Sequence, residues 1–145
     1  MKILKFALLV LLPQLLTQTS QAAQATCLAY EPASAAISGM LHRETFPGRP
    51  NYESIAQGDE PETGFYLTLP QAICTIADPA HQMDGLAAVR EVQLVLNEKQ
   101  YAELRPYLGR LVRLDGKLFP ASTGHHHADL LLRVENAPSS RGKTK

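Results

Sequence analysis

Three consecutive histidines, His125, His126 and His127, follow a Thr-Gly turn in the stretch ASTGHHHADLLLRV (residues 121–134). On an extended backbone successive side chains point to opposite sides, so His125, His127 and Asp129 face one way and His126 the other. Two imidazoles and a carboxylate suit Zn²⁺, Cu²⁺ or Ni²⁺, which makes His125, His127 and Asp129 the candidate metal ligands, with Zn or Cu as the candidate ion. The spacing is not a recognised zinc signature, and no cysteine joins the set. The competing reading is a polar loop whose rings hydrogen-bond the turn or stack on neighbours, and it is the favoured one, because histidine is as common in that role as in metal binding. Ligand binding without a metal is the third option.

A second stretch, FPGRPNYESI (residues 46–55), has the residue types of a recognition loop. Pro47 and Pro50 fix φ and stiffen the chain, and Gly48 permits a tight turn. Phe46, Tyr52 and Ile55 could fold inward as staples. Arg49, Asn51, Tyr52 and Glu53 would then face a ligand, and a stiff loop with aromatic and charged tips suits that task. Catalysis has weaker support. There is no Gly-x-Ser-x-Gly elbow and no His-Glu-x-x-His helix. The carboxylate pairs Glu53 and Asp59, or Glu60 and Glu62, fall in a loop and read as solvated, while His42 and His81 stand alone. The expectation is a protein with no catalytic residue and no required cofactor.

Periodicity supplies the elements that would hold these loops. Residues 35–44 alternate Ile37, Gly39 and Leu41 against polar neighbours, a strand pattern. An excursion of some twenty residues, 45–64, separates it from a second strand region, 64–77, in which Pro70 demands a bulge or bend. Residues 78–85 form a turn cluster, and 89–96 a third strand. Asn97 with Gln100 three positions later resembles a capping box, Tyr101, Leu104 and Leu108 recur at helical spacing, and Pro106 limits that helix to a couple of turns. Gly109 releases the chain into a fourth strand, 110–119, and a fifth follows at 128–135. Three strands, a short helix and two strands is the order of an OB-fold: a mainly β, five-stranded Greek-key barrel with its helix between strands three and four. Gly116 in mid-strand suits a sharply bent barrel strand. The runner-up is an open antiparallel sheet packed on one helix.

The chain opens with Lys2 and Lys5, an apolar run from Phe6 to Leu16, and small-x-small patterns ending at Ala25 or Ala22. That is the order of a secretory signal peptide over residues 1–25, and the run is about half of the roughly 20 residues a bilayer span requires. The expected location is therefore periplasmic or secreted, without a membrane anchor after cleavage. Cys27 and Cys74 are the two cysteines, and an oxidising compartment favours their pairing. From residue 26 onward 12 basic residues face 14 acidic ones, and residues 26–138 alone carry 9 against 14, so the body is net acidic. A nucleic-acid binder would show the opposite balance. The basic tail, 139–145, has no apolar periodicity and reads as disordered. A single domain over 26–138 remains.

The pieces FPGRPNYESI, VQLVL and YLGRLVRLDGKLFPASTGHHHADLLLRV resemble a bacterial family of exported domains of unknown function, over residues 37–137. The resemblance implies a family and no activity. Two functional classes follow from the whole reading. One is an exported binding module for a protein, glycan or small molecule, with an inhibitor or immunity-type protein as a sub-case. The other is a metal-binding or metal-handling protein built on His125–His127. If the OB order holds, the loop between strands one and two and the loop between strands four and five lie beside one face. Arg49, Tyr52 and Glu53 are then expected close to His125–His127, with Glu53 hydrogen-bonding a histidine as the purely structural alternative.

Overall fold

A computed structural model describes residues 27–136. The signal segment and the basic tail expected from the sequence lie outside the described residues. Five strands form: β1 (Ser34–Pro47), β2 (Pro61–Ile73), β3 (Val89–Val95), β4 (Leu111–Pro120) and β5 (Leu130–Asn136), with one α-helix, α1 (Glu98–Leu104), between β3 and β4. They close into a barrel in the order β1-β2-β3-β5-β4. All pairings are antiparallel except β3 with β5, which is parallel. This is the expected OB-like Greek-key barrel with its single α-helix between strands three and four.

Alternation drives the closure. Leu41, Leu67, Val92, Leu114, Leu118, Leu130 and Leu132 are fully buried on the inner face, and burial of each such leucine contributes about 2 kcal/mol. Gly116 faces Val134, and a Cβ there would run into the Arg133 carbonyl, so β4 and β5 approach at a distance that only glycine permits. The β2–β3 register shifts between Thr68 and Ile73, around Pro70, where the sequence demands a bulge. Asn97 caps α1 with the reciprocal capping box: its side chain accepts the Gln100 N–H while the Gln100 side chain accepts the Asn97 N–H. A 3₁₀ turn, Arg105–Tyr107, carries the chain past Pro106 to Gly109 at φ 76°. Cys27 and Cys74 are bridged. The bridge sits beside the Leu28–Thr75 pairing and fastens the N-terminal segment to the end of β2.

One expectation is corrected. Strands β1 and β2 run further into the connection than alternation suggests, so the twenty-residue excursion shrinks to residues 48–60. Polar residues such as Thr45, Glu62 and Thr63 hide this extension, because cross-strand pairing there does not require an apolar partner. Tyr66, Gln93 and Leu131 occupy outward positions on β2, β3 and β5. They point away from the core, yet Tyr66 and Leu131 are completely buried and Gln93 is 9% exposed. Cross-strand register places them in one row, His42–Tyr66–Gln93–Leu131–Phe119, running around the outside of the barrel. The two long loops bury the middle of this row.

Candidate functional site

The loop between β1 and β2 is built on one side chain. Asp59 is 4% exposed and accepts backbone N–H bonds from Asn51, Glu53 and Ser54, each at 2.8 Å. These bonds, those of Ser54 and Asn51 foremost, favour the ionised form and hold the carboxyl below the usual aspartate range. Asp59 is thus an internal anchor, where the sequence suggested a solvated acid. Backbone bonds from Gly48 to Glu60 and from Glu60 to Arg49, both 2.7 Å, close the base of the loop. Tyr52 sits at φ 60°, a left-handed conformation, and its N–H donates to the Gly48 carbonyl. Arg49, Asn51 and Glu53 are left exposed at the tip. Ile55, a candidate inward staple, is exposed instead at 44%, because the 3₁₀ turn Ile55–Gln57 carries it outward.

The histidine loop is held from beneath by Gln93. Its Nε2 donates to the His125 carbonyl at 2.9 Å, and its Oε1 accepts the His127 N–H at 2.6 Å. Each ring then meets a different neighbour. His125 Nδ1 lies 2.9 Å from both oxygens of Glu62. A carboxylate only accepts, so Nδ1 carries the proton, and Nε2 is left to accept from the Tyr52 hydroxyl at 3.2 Å. The Tyr52 and His125 rings meet edge-on at 5.4 Å, and Tyr52 lies against Gly124. His126 Nδ1 accepts the Ser122 N–H at 2.8 Å, and its ring meets Phe119 edge-on. Burial, and then the neighbouring His125 and His127, hold the His126 pKa below its ordinary value, which favours the neutral ring. His127 stacks flat on Phe46, with centroids 4.5 Å apart and planes 6° apart, and its Nε2 lies 3.6 Å from Glu62 Oε2.

The two loops therefore meet as the OB order implies, with Tyr52 against His125. The carboxylate that engages the histidines is Glu62, at the start of β2, and not Glu53. Nor does Asp129 join the rings. It is exposed, its carbonyl accepts the Ala121 N–H, and no bond from its carboxylate to either His125 or His127 is found among the described residues. The alternation that predicted a His125–His127–Asp129 face fails because the loop is turned until β5 begins at Leu130. Sequence reasoning missed Asp59, Glu62, Gln93 and the outward role of Tyr66. Glu62, Gly64 and Tyr66 share one face of β2 by strict alternation, and that was the available signal.

Two buried polar atoms have no hydrogen-bond partner among the described residues: the Tyr66 hydroxyl and His127 Nε2. Burial, and then the charges of Glu44 and Glu62, push the Tyr66 phenol well above its ordinary value. Across the outer face the side chains are aromatic and acidic, with Phe46, Tyr52 and His125 beside Glu44, Glu62 and Glu91. No helix among the described residues is long and apolar enough to cross a membrane. Comparison with curated proteins and with solved structures finds no match. The model of a family described as a domain of unknown function, DUF4431, matches residues 91–138, a span that takes in most of β3 and all of α1, β4, the histidine loop and β5.

Proposed function

We propose that this protein is an exported binding module whose ligand surface is the rim where the two loops meet over the outer face of β1, β2 and β3. The observation that carries the reading is the Tyr52–His125 contact, which joins two loops 73 residues apart in sequence into one surface. OB barrels engage ligands on this face, between these loops. Arg49, Asn51 and Glu53 are exposed at the rim, and Asp59 anchors the loop chiefly through backbone N–H groups, with a lesser contribution from the Asn51 side chain. The acidic surroundings favour a glycan, a basic or neutral protein surface or a polar small molecule over nucleic acid. An inhibitor or immunity-type protein is one form of such a module. The disulfide is compatible with export.

In this reading the loop histidines act as a latch. His125 has both ring nitrogens engaged, His126 caps its own turn, and His127 is stacked beneath the surface. Metal handling by His125 and His127 would require these contacts to break. The test is a double variant, Arg49→Ala with Glu53→Ala, screened beside the wild type on glycan arrays and by crosslinking to periplasmic proteins. The expected result is a specific ligand of the wild type that the variant loses at unchanged thermal stability. A ligand bound equally by both proteins would place the site elsewhere.

A further inference from the structure

A second cluster lies on the same outer face, away from the loop histidines. Among the described residues, His42, Glu44 and Glu91 form a set of three metal-capable side chains whose donor atoms all lie within 4.8 Å of one another. His42 Nε2 is 3.6 Å from Glu44 Oε2 and 3.7 Å from Glu91 Oε2. These separations are too long for hydrogen bonds. They are close to the edge of a coordination tetrahedron, about 3.3 Å for metal–ligand bonds of about 2.0 Å. The sheet builds the arrangement. His42 and Glu44 are two apart on β1 and share its outer face, while Glu91 reaches from β3 over its small partner Thr68.

Two further observations point to a cation. The other nitrogen, His42 Nδ1, lies 3.3 Å from Thr68 Oγ1 and 3.5 Å from the Met40 carbonyl. With Nδ1 facing Thr68 and Met40, Nε2 is the ring nitrogen presented to the two carboxylates, whose charge a cation between them would offset. Outer-shell partners of this kind orient metal-ligating histidines. The second observation is the Tyr66 hydroxyl, fully buried and unpartnered among the described residues. Its ring packs against His42 with centroids 5.8 Å apart. The side chain leans over Gly64, the residue paired with Glu44, where a Cβ would come within 3.2 Å of the hydroxyl. The hydroxyl therefore lies over Gly64, next to the strand position of Glu44, with an unused hydrogen-bonding capacity.

We propose that His42, Glu44 and Glu91 form a binding site for a divalent transition-metal ion, Zn²⁺ foremost, with Thr68 as a positioning residue. One imidazole and two carboxylates suit zinc better than calcium or magnesium, which favour all-oxygen sets. The three side chains are 30%, 45% and 41% exposed, so the ion faces solvent and retains an open position for water or for a ligand atom. This site is separate from the loop histidines and stands whether or not the rim binds a partner.

The experiment is zinc titration by calorimetry on untagged, chelator-treated protein, beside His42→Ala, Glu91→Gln, Thr68→Val and His125→Ala. The wild type should bind one zinc per chain. His42→Ala and Glu91→Gln should weaken it by at least about tenfold, Thr68→Val by about tenfold through misorientation of His42, and His125→Ala should leave it unchanged. Substituted Co²⁺ should give a visible spectrum that His42→Ala abolishes. The ligand changes lie on exposed side chains, and thermal melts in chelator report whether each variant is folded. Absence of zinc binding at millimolar metal overturns the proposal. Binding that survives His42→Ala, or that is lost with His125→Ala, also overturns it.

Discussion

Substituting Gln93 by leucine removes the support beneath the histidine loop while keeping a side chain of similar bulk. Two groups lose their partners, the His125 carbonyl, bonded at 2.9 Å, and the His127 N–H, bonded at 2.6 Å. A buried polar group left unsatisfied costs about 1–3 kcal/mol, and leucine recovers part of this against Tyr66 and Leu131. The expected loss is about 2–4 kcal/mol. At about 4 °C per kcal/mol for a domain of this size, the melting temperature falls by about 8–16 °C. The assay is thermal unfolding followed by circular dichroism, paired with amide hydrogen exchange. Exchange separates two routes. If the loop stays in place, the whole barrel is destabilised and the melt shifts. If the loop peels away, water satisfies the freed groups, the melt shifts little, and the amides of His127 and Ala128 lose protection. A melt within about 2 °C of wild type together with unchanged protection at His127 would refute the account of Gln93 as the support.

Other substitutions test the same architecture. Gly116→Ala should destabilise by about 1–3 kcal/mol or prevent folding, because the added Cβ meets the Arg133 backbone; chemical denaturation measures it. Tyr66→Phe should stabilise the ligand-free protein by about 1 kcal/mol, since it removes a buried hydroxyl without a partner, and a clear loss in urea titration would contradict this. For Asp59 the folded pKa is depressed. Its contribution is thus complete above the unfolded value of about 3.9 and is lost as pH falls through the folded value. The stability gap between wild type and Asp59→Asn should be constant above about pH 5 and shrink toward pH 2 in a urea series, and a gap that widens on acidification would reverse the sign. Reducing Cys27–Cys74 should cost about 4 kcal/mol on the loop-closure estimate, read as a lower denaturation midpoint in dithiothreitol.

The fold was legible because the information for it is local and repeated. Period-two alternation at Ile37–Leu41, Phe65–Leu69 and Val112–Leu118 fixed the inner face, Asn97 and Gln100 marked the helix start, and Pro70 the bulge. The site was legible in outline, since the barrel order alone brings Tyr52 to His125. Its chemistry was not. Asp59 looks like one more acid in a polar loop, and only the folded chain turns three backbone N–H groups toward it. Glu62 and Gln93 are polar residues on outward positions, where the expectation is water. The loop above buries Gln93 and partly covers Glu62, and nothing in the spacing of a strand reports what covers its other face. His42, Glu44 and Glu91 come together through strand register, with 46 residues between Glu44 and Glu91 in the chain, so no motif could join them.

The way Asp59 holds its loop bears on how this surface can change. The donors are main-chain N–H groups, which every residue except proline supplies. Position 53 can therefore exchange its side chain freely, and position 51 at the loss of only a lesser side-chain contact with Asp59, because the loop's path rests on the main chain. Arg49 contributes through its carbonyl, so it shares that freedom. A small region of the molecule can drift toward a new ligand while the barrel beneath stays the same, much as a hypervariable loop does on an immunoglobulin frame. The loop tip offers a place to graft short recognition sequences onto a disulfide-locked scaffold, with proline at 51 or 53 as the foreseeable way to spoil it.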